Sequence, residues 1–254
     1  MLRKFDTTRT HADNVKLAIL TATVAGLVNI ASFILFFSFS SNVTGYYAIM
    51  ISELIKGNFY QFIVVALWVL AFFIGSFTSN FIVIYFNKIN AYWAHALPIL
   101  LEIVSLMVVG IYGQFYYENT LLETEILLLI MLFAMGLQNG LTASISNFTV
   151  KTTHLTGATT DLAILASMFT HKAYKSKEPI IKRAQLIIAT VLSYLVGGVI
   201  GAVLYPKISF GVFFVASGLL VVVLTYDLYK LFQLQVKRTK RKKTALSEYK
   251  VSTT

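Results

Sequence analysis

The sequence predicts an all-α membrane protein, six transmembrane helices arranged as two inverted three-helix repeats. Three observations carry that expectation. Of the 254 residues, 57% are hydrophobic and only 13% are charged, and the mean hydropathy is +0.74. A soluble domain is about half apolar and about a quarter charged, so the solvent here is lipid. Six apolar segments, near 17–39, 60–86, 93–113, 122–147, 184–205 and 209–232, reach the roughly 20 residues that cross a hydrocarbon core. Finally, one short motif occurs twice, three spans apart. No segment alternates as outer-membrane barrel strands do.

The first copy of the motif reads Gly26-Leu27-Val28-Asn29, then Asn42-Val43-Thr44-Gly45. The second reads Gly136-Leu137-Gln138-Asn139, then His154-Leu155-Thr156-Gly157. A three-span unit repeated once arrives in the membrane upside down. Inverted repeats place matched elements on opposite sides of one central site, as in many secondary transporters.

Residues 1–16 hold Arg3, Lys4, Arg9 and Lys16 and precede a stretch long enough to span, without a small-residue cleavage site. This reads as a cytoplasmic segment before a retained helix. The first repeat covers 17–113, a short external loop 114–121, and the second repeat 122–232, with a basic cytoplasmic insertion near 171–183. A basic cytoplasmic tail, 233–254, follows. The second and fourth segments are the long ones, candidates for tilt or breakage. Six spans put both termini on one side, with the loops near 87–92 and 148–183. That side collects all of the 21 basic residues except Lys56 and Lys207. The positive-inside rule makes it the cytoplasm, which accounts for the net charge of +10 without nucleic acid. The bilayer is the expected partner, with anionic lipids held at Lys237–Lys243.

Small residues recur at four-residue intervals in matched spans, Ala71, Gly75 and Ser79 in the second, Ser193, Gly197 and Gly201 in the fifth. With Gly26 and Gly136 they are the expected helix-packing residues, since such stripes let helices approach closely.

Thr44 and Thr156 are good N-cap residues, each followed by glycine and an apolar run. Two readings stay open. The first and fourth spans break and leave short helices whose N-termini point inward at an anion or polar oxygen, or these threonines cap interfacial helices on the two membrane surfaces. Asn29, Gln138 and Asn139 lie at membrane depth, where an unpaired amide costs several kcal/mol. Together with Asn42, Thr44, Gly45, His154, Thr156 and Gly157 they form the expected solute-binding set. Ser32, Thr142, Ser144, Ser146 and Asn147 thicken the polar lining. Glu102, about 13 Å into a core about 30 Å thick, is the candidate proton-coupling group, with His95 and Ser105 near its helix face.

There is no cysteine, hence no disulfide and no thiolate chemistry. The four histidines lack metal-ligand spacing, and no phosphate loop, nucleophile elbow or zincin helix is present. Neither enzyme activity, nor a cofactor, nor a metal is expected.

The run Met135-Gly136-Leu137-Gln138-Asn139, followed by Val150-Lys151-Thr152-Thr153-His154-Leu155-Thr156-Gly157, resembles the signature of the YoaK family, and the first-half motif resembles that family's N-terminal one. The resemblance covers about residues 15–232. It implies a six-helix protein of the bacterial inner membrane built on a domain of unknown function, and supplies no activity. The residues themselves favour a small secondary transporter or channel for a polar or anionic solute. The alternative is a non-transporting assembly or interaction module whose motifs only pack helices.

Overall fold

The computed structural model describes residues 10–225, and its first helix starts where Thr10 and Asp13 cap each other. The Thr10 hydroxyl accepts the Asp13 N–H at 3.3 Å, and the Asp13 carboxylate accepts the Thr10 N–H at 3.1 Å, a capping box. Helix α1 therefore spans His11–Phe36, beginning before the apolar stretch does. Phe37 ends it in the left-handed region (φ 52°), its N–H returning to Phe33 O at 2.9 Å. Then follow α2 (Val43–Ile55), α3 (Phe59–Phe86), α4 (Ala91–Phe115), α5 (Leu121–Ile145), α6 (Leu155–Thr170), α7 (Lys172–Lys175) and α8 (Glu178–Ile208). A 3₁₀ turn, Ser209–Gly211, leads into α9 (212–225). Among the described residues there is no strand.

Five helical runs are long and apolar enough to cross a membrane: His11–Phe36, Phe59–Phe86, Tyr92–Phe115, Leu121–Ile145 and Glu178–Thr225. The chain is a multi-pass membrane protein. On α3, Phe73, Phe77, Phe81 and Tyr85 stack along one exposed face, a surface suited to lipid. The fifth run holds 48 residues, about 72 Å of helix, against a core of about 30 Å. It is interrupted at Ser209, whose φ of 47° and ψ of −123° are not helical. Beyond that break α9 runs antiparallel to α4. Tyr92 Oη donates to Leu224 O at 3.3 Å near one end, and Gly110 and Gly113 meet the rings of Phe214 and Phe210 near the other.

Expected boundaries shift where hydrogen bonds outrun hydropathy. The segment near 171–183 is not one loop, since α7 lies within it and α8 already starts at Glu178. Of the two long spans, the second is the continuous helix α3, and the fourth, α5, ends at Ile145 before the loop to α6, as the first, α1, ends at Phe36 before the loop to α2. Arg3, Lys4, Arg9, the sixth span beyond 225, Asp227, Lys230 and the basic tail lie outside the described residues.

Two helix pairs form the frame, and glycines set their separation. In α1 against α8, Gly26 lies on the Tyr194 carbonyl, Gly197 on that of Thr23, and Gly201 on that of Leu27. In α3 against α5, Gly136 lies on the Phe72 carbonyl and Gly75 on that of Phe133. Counting alike from Gly26 and Gly136, and from Gly75 and Gly197, the contacts correspond residue for residue: Thr23 takes the place of Phe133, and Tyr194 that of Phe72. Ala71 and Ser79 are buried in the same stripe, whereas Ser193 is only half-buried. Gly140, packed on Ser76, and Gly198, packed on Ile30, complete the close approach.

Candidate solute-binding cleft

Each motif folds its chain reversal back onto its own asparagine. In the first, Ser40 Oγ and Ser41 Oγ donate to Asn29 Oδ1 at 3.2 and 3.1 Å. In the second, Thr152 Oγ1 and Thr153 Oγ1 donate to Asn139 Oδ1 at 3.3 and 3.0 Å. The asparagine carbonyl thus holds two hydroxyls of the returning loop in both copies. The amide ends differ. Asn29 Nδ2 donates to Tyr194 Oη at 2.5 Å, while Asn139 Nδ2 turns to Met135 O of its own helix at 2.8 Å. The residue facing the second motif, Phe72, carries no hydroxyl to receive it.

A new helix starts directly after each loop. The N-caps are Asn42 (φ −88°, ψ 62°) and His154 (φ −88°, ψ 54°), so the expectation that Thr44 and Thr156 are caps is corrected: both lie in the first turn. The glycines explain why. A Cβ on Gly45 would lie 2.7 Å from Asn42 Nδ2, and one on Gly157 3.2 Å from His154 Cδ2. Glycine leaves room for the cap residue to fold over the turn. Asn42 Oδ1 accepts the Gly45 N–H at 3.2 Å, whereas His154 makes no side-chain cap bond.

The two helix starts face one cleft of about 780 Å³. Asn29, Ser41, Asn42 and Thr44 line it from the first motif, and Asn139, Thr153, His154 and Thr156 from the second, with Tyr194 and Lys151. The first N–H groups of a helix have no intrahelical acceptor and sit at the positive end of its dipole. The cleft is therefore suited to a polar or negatively charged solute.

Other expected residues lie elsewhere. Gln138 is buried and donates through Nε2 to Thr21 O at 2.5 Å, joining α5 to α1 outside the cleft lining. Gly45 and Gly157 shape the helix starts, and Gly26 and Gly136 pack helices. Ser32 donates to Ser38 O, Thr142 to Gln138 O, Ser146 to Thr142 O, and Ser144 to both Asn80 Oδ1 and Gly140 O. Glu102 faces the interior at 1% exposure, yet its Oε1 meets no hydrogen-bond partner among the described residues, and it lines no part of the cleft. Ser105 Oγ is taken by Leu101 O, and His95 is fully buried. Glu125 is a second buried carboxylate, accepting from Tyr60 Oη at 2.5 Å. No group of three histidines or carboxylates among the described residues could hold a metal ion.

A family model described as "Protein of unknown function (DUF1275)" matches residues 17–226. The chain belongs to the DUF1275 family. That membership is consistent with the YoaK resemblance in the two motifs. No curated protein and no solved structure matches the chain.

Proposed function

We propose that this DUF1275 protein is a small secondary transporter or channel for a polar or anionic solute, with the cleft between the two motifs as its central site. The observation that carries the proposal is the convergence of two asparagine-held loops and two helix starts on one open cleft. In this reading α2 and α6 are half-helices. The α2 surface supports that, since Tyr47, Ile49, Ile51, Leu54 and Ile55 are exposed beside Thr44 and Ser52, a mainly apolar surface without the strongly charged face of an interfacial helix. The proposal includes six crossings, with α8 and α9 as the fifth and sixth, and an inverted relation between the halves, which the corresponding contacts of α1 with α8 and α5 with α3 support. It also includes YoaK-type identity, a bacterial inner membrane, and cytoplasmic termini on the basic side. A packing-only module would bring the two asparagines into closed helix contacts, and the open cleft weighs against it.

The test is electrogenic flux. Purified protein in proteoliposomes on a solid-supported membrane is exposed to jumps of chloride, formate, acetate, phosphate and uncharged polar solutes. At least one solute should give a protein-dependent current that Asn29→Leu and Asn139→Leu abolish while folding is kept. Currents that survive both replacements, or none with any solute in either counter-ion direction, would overturn the proposal.

A further inference from the structure

A second cavity, of about 720 Å³, opens beside the cleft. It lies between the loop after α5, the start of α6 and the start of α8, with His11 at one edge. Lys151 and His154 line both spaces, so a solute passing between them passes these two side chains. The wall holds Lys151, Lys182 and Arg183 against a single carboxylate, Asp161. Arg183 Nη2 pairs with Asp161 Oδ2 at 3.0 Å, and Lys182 Nζ pairs with Glu178 Oε1 at 2.5 Å along α8. Both pairs are exposed, so water and salt screen them. Lys151 takes part in no ion pair among the described residues. The loop that carries it turns through two consecutive left-handed residues, Asn147 (φ 51°) and Phe148 (φ 58°), and is pinned by the Val150 N–H on Ser146 Oγ at 3.0 Å.

The other motif has no such feature. Three residues before its N-cap stands Phe39, where the second motif has Lys151. Phe39 lines the cleft and stacks on Phe33 at 4.7 Å with 7° between the rings. The basic mouth is thus a property of one end only. Neither the asparagine-held loop nor the helix start requires it, because the first motif builds both without a cation.

We propose that this mouth is a second oxyanion site, formed by Lys151 and His154 with Lys182 and Arg183, that draws anions to the cleft. The inference rests on reading the cleft as a solute site. Its ligand chemistry is a phosphate, sulfate or carboxylate group, belonging either to a free solute or to a lipid headgroup. Lys151 supplies the uncompensated charge, and Lys182 and Arg183 can exchange their screened carboxylate partners for the anion.

The full chain is tested by thermal unfolding in neutral detergent, titrating sodium phosphate against sodium chloride at matched ionic strength. A second arm uses phosphatidylcholine nanodiscs with and without phosphatidylglycerol. A free-solute site gives saturable stabilisation by phosphate, which Lys151→Gln weakens about ten-fold, the loss of one charge-assisted hydrogen bond. Lys151→Arg and Lys172→Gln, the latter on α7 outside the cavity wall, keep it. A headgroup site gives a flat phosphate titration and a phosphatidylglycerol shift that Lys151→Gln removes. No stabilisation in either arm, or stabilisation that Lys151→Gln leaves unchanged, overturns the basic mouth. Phosphate binding lost in Asn139→Leu but kept in Lys151→Gln would sink the mouth alone and leave the cleft reading standing. A Lys151-dependent site in a protein that passes no current would do the reverse.

Discussion

Replacing Gly26 with alanine pushes a methyl group into the backbone of α8. A Cβ built there lies 2.8 Å from the Tyr194 carbonyl carbon and 3.0 Å from the Gly198 nitrogen, and nearer still to Tyr194 O. Comfortable contacts begin near 3.5 Å, so α1 and α8 must part by roughly 1 Å. No side chain can rotate out of the way, because the obstructing atoms are main chain. Overpacking of this kind costs about 1–3 kcal/mol. Parting the helices also strains the 2.5 Å bond from Asn29 to Tyr194, which places this site at the upper end. About 1 kcal/mol returns from the better helix propensity of alanine, leaving a net loss of about 2 kcal/mol. Thermal unfolding of the purified chain in detergent should show a Tm lower by about 4–8 °C. Gly136→Ala, pressed on Phe72, should repeat the effect. Gly218→Ala is the control, since a Cβ there meets nothing within 4 Å, and its Tm should hold or rise. Equal Tm values for Gly26→Ala and Gly218→Ala would refute the close-approach reasoning.

Glu102→Leu should leave the protein folded and equally or more stable, because it removes a buried oxygen without a partner, a burden of about 1–3 kcal/mol; a marked fall in Tm would reveal a partner. Asn42→Ala removes the cap on Gly45 and should cost about 1 kcal/mol, read as faster hydrogen exchange over 43–46. His154→Ala, at the matching cap without a side-chain bond, should leave exchange at the start of α6 unchanged, and equal acceleration in both would contradict the assigned cap chemistry. Lys56→Cys and Lys172→Cys, placed in a chain with no native cysteine, should react with a membrane-impermeant maleimide from opposite faces, and labelling from one face would end the inverted six-crossing reading.

How much of this fold is legible in the sequence depends on where each cap falls relative to the apolar run. Where the cap sits at the edge of the run, hydropathy suffices: α3 (Phe59–Phe86), capped by Asn58, matches the segment near 60–86, and α4 (Ala91–Phe115), capped by Asn90, the segment near 93–113. Where the cap lies well outside the run, hydropathy is silent. The Thr10–Asp13 capping box starts α1 before the apolar stretch, and α8 carries polar residues from Glu178 before it becomes apolar. The stripes through Gly75, Gly197 and Gly201 were legible because close approach demands small residues. The one-stripe pattern still chose Ser193 over Gly198, since a four-residue interval cannot say which adjacent row faces the partner.

In the cleft, Asn29 and Asn139 were legible because an amide at membrane depth must be satisfied, and because they recur together. Their acceptors and donors were not. Ser40 and Ser41 match Thr152 and Thr153 in chemistry rather than in letter, and laying the two loops side by side, hydroxyl against hydroxyl, would have found them. Tyr194 lies 165 residues from Asn29, beyond any local pattern. The Thr-Gly pair misled for a physical reason: threonine is a good cap by propensity, but the glycine that follows is there to make space for the asparagine or histidine before it. One hydroxyl then distinguishes how the two asparagine amides are held. Tyr194 ties the Asn29 amide from α1 to α8, whereas Phe72 cannot tie Asn139 from α5 to α3, and that pair is joined instead by Ser76 Oγ on Gly136 O at 3.0 Å, Ser144 Oγ on Asn80 Oδ1, Trp68 Nε1 on Glu125 O and Tyr60 Oη on Glu125 Oε2. The Asn29–Tyr194 bond sits in the cleft wall and these α3–α5 bonds do not, so under the proposed reading of the cleft a solute competing for the Asn29 amide would loosen one helix pair and leave the other intact.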